Sequence, residues 1–308
     1  MQMVRSRVML ATGAEGALGL ELQKILPPGK TLIATSANAA GDRHLDITDF
    51  GEIQIRLREH NPDIVFHLAA IVPIPQIEKD PDRAFLVNVL GLNNLLRAVE
   101  AFNPKCKVIV LSSSEVYGNG MSGRKFRESD HFDPNNFYAF TKVSQEQLAL
   151  LYIKRGLNIR IARIFNYSSI YKKPIYSLES FASQIFSIIQ HGKDRKISVG
   201  NLEPERDFLQ GEDVATALYH IAAAENDQST YNVCRGETTS MFALLQRIIG
   251  AFGTEIEIIV DPSKFRRIDN MYVCGDNSRL RALGWAPRIS VDEMINRLVE
   301  HHKKAISI

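Results

Sequence analysis

Along the first half of the chain, short β-branched runs alternate with amphipathic stretches. Arg7–Thr12 reads as a strand and Leu18–Ile25 as a helix; Thr31–Thr35 is a second strand, Gly51–His60 a helix and Asp63–Leu68 a third strand. A long helix over Asp82–Phe102 precedes the strand Lys107–Ser112, and a helix over Tyr138–Arg155 precedes the strand Asn158–Ile164. These strands are apolar throughout instead of alternating, as strands covered on both faces must be. The rhythm predicts an α/β fold, a doubly wound parallel sheet. After about Asn166 it loosens into helices at Leu178–His191, Glu212–Ala224 and Ser240–Phe252, separated by short strands and charged loops. This divides the chain into a dinucleotide-binding domain over residues 1–165 and a smaller mixed α/β substrate lobe over 166–308, some of whose strands and helices return to the main domain. The lobe is expected to close over the carboxyl edge of the sheet, where ligands of open α/β sheets bind.

Composition narrows the functional classes. The 308 residues, 45% hydrophobic and 23% charged, have room for both units. With 37 Lys and Arg against 35 Asp and Glu, a net +2, nothing points to nucleic acid or an anionic membrane as partner. No apolar run approaches the roughly 20 residues of a bilayer span. The N-terminal stretch runs into a glycine-rich turn and reads as a first strand, not a signal peptide. Cys106, Cys234 and Cys274 are odd in number and far apart, with neither disulfide nor metal-ligand spacing, which fits a reducing cytoplasm. The eight His do not cluster, so no metal is expected.

Directly after the first strand stands Gly13-Ala14-Glu15-Gly16-Ala17-Leu18-Gly19, followed by a helix. Glycines allow a tight turn, close approach of the backbone to a pyrophosphate, and close packing of helix on strand. The helix N-terminus adds free N–H groups and the positive end of its dipole. The spacing is G-x-x-G-x-x-G, and the position at the head of a βαβ unit makes this a Rossmann-type dinucleotide site contacted by Gly13, Gly16, Ala17, Leu18 and Gly19. A carboxylate at the end of the second strand would select NAD; here Thr35-Ser36-Ala37-Asn38 contains none and Arg43 is close by. Ser36 and Arg43 therefore favour NADP(H), with NAD(H) possible, and Asp46 and Ile47 are placed beside the adenine.

Tyr138 and Lys142 lie four residues apart at the start of a helix and share a face. A phenol titrates near 10, and a neighbouring ammonium is expected to lower it toward neutrality while also holding the nicotinamide ribose. Upstream, Ser112-Ser113-Ser114-Glu115 ends the fourth strand, where a hydroxyl can reach a substrate carbonyl. A strand-end turn or a chance Tyr/Lys pair would explain either feature alone. The glycine turn, the serines and the Tyr/Lys pair in this order point to carbonyl redox chemistry.

Through Gly13–Gly19, His67-Leu68-Ala69-Ala70, Asn88, Ser113–Gly118 and Tyr138–Lys142 the chain resembles, over its full length, the extended short-chain dehydrogenase/reductase family of the epimerase/dehydratase type. The resemblance implies a catalytic hydroxyl on Ser113, with Ser114 as fallback, and cofactor contacts from Leu68, Ala69, Ala70, Tyr138, Lys142 and Phe165. His67 and Asn88 match polar positions of the family; as core residues satisfied by the backbone they would look the same. Val199–Leu209 and Asp261–Arg267 are similar to segments by which nucleotide-sugar members grip a diphosphate, placing Arg206 and Arg266 on it, with Asn166 on the substrate. The family's proline before Phe165 is Ile164 here, and Tyr167–Pro174 lacks the expected His-Ile-Gly-Pro-Gly of the sugar-pocket loop.

The activity implied is NADPH-dependent reduction of the 4-keto group of a nucleotide-linked, GDP-type 4-keto-6-deoxy sugar. A 4,6-dehydratase using Glu115 as acid–base group, a 4-epimerase, and a cofactor-binding regulator without chemistry are the alternatives. The resemblance also implies a homodimer formed through two helices.

Overall fold

The computed structural model describes residues 8–192, 194–265 and 269–304. Its first part runs β1 (Val8–Thr12), α1 (Ala17–Lys24), β2 (Thr31–Ala34), α2 (Phe50–His60), β3 (Ile64–His67), α3 (Ile74–Lys79), α4 (Pro81–Phe85), α5 (Gly91–Phe102), β4 (Lys107–Ser113), α6 (Phe137–Lys154) and β5 (Ile159–Ile164). The second part runs β6 (Asn166–Ser168), α7 (Ser177–His191), β7 (Lys196–Val199), β8 (Glu205–Arg206), β9 (Phe208–Gln210), α8 (Gly211–Ala223) and β10 (Thr230–Val233). It ends with β11 (Thr239–Ser240), α9 (Met241–Phe252), β12 (Glu257–Val260), β13 (Tyr272–Val273), α10 (Ser278–Arg281) and α11 (Val291–Lys304).

A six-stranded sheet in the order β10-β5-β4-β3-β1-β2, parallel throughout, forms the centre. Strand side chains alternate between two buried clusters. Met9, Ala11, Phe66 and Ile109 pack with α1 and α8, whereas Leu10, Val65, Val108 and Val110 pack with α2, α5 and α6. Helices on both faces account for the continuous apolar strands. β1 lies between β2 and β3, so the chain reverses its direction of travel across the sheet there, the switch point at which such sheets bind ligands.

A third cluster joins α7, α9 and α11, and small sheets order the chain around it: β11-β8-β13, β12-β7 and β6-β9. β10 and α8 return to the main sheet and its cover.

The helix expected over Asp82–Phe102 is interrupted. Leu86–Leu90 forms a π-helical turn between α4 and α5, and such turns gather at functional sites. Asn88, fully buried within it, donates from Nδ2 to the Ile71 carbonyl at 2.9 Å and to Thr141 Oγ1 at 3.1 Å, while its Oδ1 accepts from Ile71 N at 2.8 Å. Asn88 thus ties the loop after β3 to α6, the reading in which the backbone satisfies it. Contrary to the sequence expectation, Pro81–Phe102 matches a bilayer span by length and composition. Its apolar side, including Leu92, Leu95, Leu96 and Val99, is buried in the core.

Candidate active site

The turn after β1 meets the loop after β3. Gly13 adopts φ +64°, and a Cβ there would stand 2.7 Å from the Ala69 backbone; one at Gly19 would stand 2.4 Å from the Ala14 carbonyl. Turn, loop and helix therefore approach more closely than any side chain allows. Gly16 stands at the N-cap of α1 and offers no side chain to cap it, so the N–H groups of the first turn can receive an anion. A pyrophosphate fits this cradle, with Leu68, Ala69 and Ala70 half-buried opposite. Thr12 and His67 close its floor: Thr12 Oγ1 lies 3.1 Å from His67 Nδ1 and accepts from Ala69 N at 3.2 Å. Burial, with Lys142 nearby, holds His67 near pKa 3, so it is neutral, and its Nε2 has no partner among the described residues.

At the far end of the cradle, Ser36 N donates to the Arg43 carbonyl at 2.9 Å, which places the exposed Arg43 beside the end of β2. The Ser36 hydroxyl serves its own turn, accepting from Asn38 N at 3.3 Å. Asp46 does likewise, accepting from Thr48 N and Oγ1 at 2.8 Å each. The Ile47 side chain, expected against an adenine, is instead buried under α5, where a Cβ on Gly91 would lie 2.6 Å from it.

At the carboxyl end of β4 the serines separate. Ser112 donates to Glu146 Oε1 on the α6 side, whereas the Ser113 hydroxyl accepts from Glu115 N at 3.2 Å and lies close enough to the Tyr138 phenol to lower its pKa. Alternation along the strand thus selects Ser113 over Ser112, and Ser114 has no such effect on Tyr138. Asn136 caps α6 by accepting from Ala139 N at 2.8 Å, fixing where Tyr138 begins its turn. Asn136 Nδ2 also donates to Glu115 Oε2 at 3.1 Å, and Asn270 Nδ2 reaches the same oxygen at 3.5 Å. Glu115 therefore stands near Tyr138, its carboxylate oriented by amides from two distant segments.

Lys142 Nζ donates to the Leu111 carbonyl at 2.8 Å and lies 5.8 Å from the centre of the Tyr138 ring. Burial lowers Lys142 to about 8, with Glu146 opposing that fall. For Tyr138 the expectation fails in sign. Burial pushes the phenol well above its ordinary range, Glu115 and Tyr176 push it further, and only the neighbouring Ser113 hydroxyl opposes. Lys142 is not among the groups that lower it, so desolvation decides. Behind the pair, Arg163 holds Glu146 through Nε at 2.9 Å and Nη2 at 2.8 Å and donates from Nη1 to Tyr117 Oη at 2.7 Å. Glu146 (1% exposed) and Arg163 (4%) fix α6 against β4 and β5.

Residues 37–298 match the family model described as GDP-mannose 4,6 dehydratase. The chain belongs to that family. It is also 29% identical to GDP-6-deoxy-D-mannose reductase of Pseudomonas aeruginosa over 294 residues, 94% of this chain and 95% of the relative. To GDP-6-deoxy-D-talose 4-dehydrogenase of Aggregatibacter actinomycetemcomitans it is 28% identical, over 95% and 98% of the two chains. Among solved structures, RMD from Pseudomonas aeruginosa complexed with NADPH superposes with a TM-score of 0.87 at 28% identity, covering 97% of this chain and 100% of that one. These likenesses place the chain among the extended short-chain dehydrogenases/reductases, as its motifs implied.

Other expected site residues of this GDP-mannose 4,6 dehydratase family member are distributed unevenly. Asn166 lies in β6, in register with Phe208 of β9, beside the Arg206 segment. Arg206 is 8% exposed, and its Nη2 pairs with Asp269 Oδ1 at 2.9 Å. Because Asp269 adjoins Asn270, Arg206 and Glu115 address one segment. Phe165, expected beside the cofactor, is 2% exposed and packs with Tyr117, Phe126, Cys234 and Val273; its side chain faces this satellite core. Arg266 lies outside the described residues.

Sequence reasoning missed the amide pair Asn136 and Asn270, the Glu146–Arg163 pair, and Tyr167, Lys172 and Tyr176. Glu146 had a visible signal, one helical turn beyond Lys142 on the same face. The others come together only through the fold.

Proposed function

We propose that this protein reduces the 4-keto group of a GDP-linked 4-keto-6-deoxy hexose with NADPH. The observation that carries the reading is Ser113 and Tyr138 brought side by side, with Lys142 beneath them, at the sheet edge next to an uncapped, glycine-built helix N-terminus. The NADPH-bound and GDP-sugar relatives support it. When bound, the dinucleotide supplies the hydride that reduces the ketone carbon. Tyr138 gives its phenolic proton to the ketone oxygen, and solvent returns a proton to Tyr138. Ser113 donates a hydrogen bond to the same oxygen as charge builds there. Lys142 holds the nicotinamide ribose and stabilises the phenolate left on Tyr138, and its charge counts most in this buried place. Arg206 anchors the diphosphate, giving binding energy remote from the reacting carbon. Arg43 favours the 2′-phosphate of NADPH over NADH.

Glu115 supports a second reading. A 4,6-dehydratase needs a carboxylate beside the hexose to take the C5 proton and deliver one to the departing C6 hydroxyl, and Glu115 is oriented by Asn136 and Asn270 near Tyr138. Incubation with NADPH and the GDP-4-keto sugar, and separately with GDP-mannose and NADP, decides between them. The reductase reading expects NADPH oxidation in the first, retained in Glu115→Gln, and no product in the second. Release of a 4-keto product from GDP-mannose, lost in Glu115→Gln, would establish the dehydratase.

A homodimer is supported by exposed apolar side chains on neighbouring helical segments: Phe85, Leu86 and Leu90, and Phe137, Phe140 and Leu151 of α6. Sedimentation equilibrium tests it. A reducing, cytoplasmic setting is supported by Cys106, Cys234 and Cys274, all buried free thiols.

A further inference from the structure

The loop that departs from the family pattern holds a cation between two phenols. Lys172 Nζ stands 4.2 Å from the ring centre of Tyr167 and 4.2 Å from that of Tyr176. Its hydrogen bond among the described residues is to the Tyr167 carbonyl at 2.8 Å. An ammonium has three donors, so two are left in a half-buried position, and burial lowers its pKa. The two flanking phenols belong to the catalytic neighbourhood: Tyr176 acts on Tyr138, and Tyr138 and Tyr176 both act on Tyr167, each raising its neighbour's pKa. Tyr167 directly follows Asn166, and Tyr176 directly precedes α7.

The Lys172 ammonium is one of several groups that hold the backbone of this loop. Ser169 Oγ donates to Glu21 Oε1 at 2.6 Å and accepts from Tyr171 N at 3.2 Å, Lys172 N donates to the Ser169 carbonyl at 3.0 Å, and Ser168 Oγ donates to Glu179 Oε1 at 2.7 Å. A cation with two donors beyond its bond to the Tyr167 carbonyl, held between two phenols, suits a ligand rich in oxygen acceptors.

We propose that Lys172, clamped between Tyr167 and Tyr176, reads the hexose of the nucleotide sugar, its ammonium donating to sugar hydroxyls near the reacting carbon while the two rings wall the sugar. This rests on the nucleotide-sugar reading above. The diphosphate is assigned to Arg206, in β8, and the dinucleotide phosphates to the α1 turn, so the sugar is the part of the substrate that lies nearest Tyr138. Because the Tyr167–Pro174 stretch departs from the family pattern, Lys172 gives this chain a donor for choosing among hexoses that share one nucleotide.

The test is calorimetric titration of the NADP-loaded protein with GDP and with GDP-6-deoxy-D-mannose, for the parent, Lys172→Met and Lys172→Arg, with urea unfolding to verify the fold. The hexose increment is the ratio of the two affinities. Lys172→Met should reduce it about tenfold, the worth of a hydrogen bond from a charged donor. Lys172→Arg should recover part of the loss, and GDP and NADPH affinities should stay within twofold. An increment unchanged in Lys172→Met overturns the inference alone. A matching loss of GDP or NADPH affinity overturns it too, by moving Lys172 to the diphosphate or the cofactor. A parent that binds GDP-6-deoxy-D-mannose no better than GDP overturns the nucleotide-sugar reading and this inference with it.

Discussion

Replacing Glu146 by Gln should shift the pH dependence of NADPH binding through a residue that touches no ligand. Lys142 is 4% exposed, and burial lowers it to about 8, with the Glu146 carboxylate resisting that fall. Charges about 6 Å apart, as on neighbouring helical turns, interact by about 2.8 kcal/mol at an effective dielectric constant of about 20, equivalent to about two pKa units. Arg163 is bonded to the same carboxylate and offsets most of this, leaving on the order of half a unit to one unit. Removing the negative charge removes support for the ammonium, so the Lys142 pKa must fall further. If Lys142 in its charged form holds the nicotinamide ribose, NADPH affinity of the parent should weaken by about 10- to 100-fold as pH rises through about 8. In Glu146→Gln the midpoint should fall by half a unit to one unit. Fluorescence titration of NADPH between pH 6.5 and about 9.5 reads both curves. The substitution also leaves Arg163 with a weaker buried partner, at a cost of up to about 3–5 kcal/mol, so urea unfolding must show that the variant is folded at each pH. Affinity that is flat through this range in the parent refutes the role of Lys142. A parent midpoint that persists unmoved in the variant refutes the coupling to Glu146. Stability carries its own sign: with its folded pKa below the ordinary 10.5, Lys142 opposes folding below about 8, and that opposition is relieved as pH rises between the two values.

Tyr138→Phe should cut turnover by two or more orders of magnitude with NADPH affinity nearly intact; turnover within a few-fold of the parent removes Tyr138 from the mechanism. Arg43→Ala should abolish a preference for NADPH over NADH, and paired fluorescence titrations in which the preference survives assign it elsewhere. Arg206→Ala should raise KM for the sugar nucleotide by about 10- to 100-fold, a charge-assisted bond of about 1.5–3 kcal/mol, without altering NADPH affinity. A loss of NADPH affinity instead would place Arg206 in the cofactor site or the fold.

The main sheet was legible because its strands are buried on both faces. Runs such as Ile64–Val65–Phe66 must be apolar at consecutive positions when alternate residues enter different clusters. Helix periodicity likewise put Tyr138 and Lys142 on one face, and the boundary slipped only to Phe137 because Asn136 supplies the cap. The last helix, α11, was missed although its signal was present: Met294, Ile295, Leu298 and Val299 form its buried stripe, with His301, His302, Lys303 and Lys304 at its end. Strands of two or three residues such as β6, β8 and β13 had no signal, since no period can be read over so few positions and their partners lie far along the chain.

The grouping of Ser113, Tyr138 and Lys142 was legible, but its electrostatics were not. A four-residue spacing brings an ammonium near a phenol but does not say what else that ammonium bonds to. Here Lys142 bonds the Leu111 carbonyl, one strand position before the serines, and burial then sets the sign of the Tyr138 shift. Glu115 shows the same gap: its place after the serines was visible, but its orientation comes from Asn136 and from Asn270, 155 residues away. The two layers have different origins. Ser113 and Tyr138, with Lys142, ride on β4 and α6, whose relative position is fixed by the buried Glu146, bonded to Ser112 and Arg163. The groups assigned to the sugar nucleotide, Asn166, Arg206 and Lys172, ride on short strands and a loop, which can change without disturbing that frame. Substitutions in the 167–176 loop should therefore alter which sugar is accepted before they alter whether hydride is transferred.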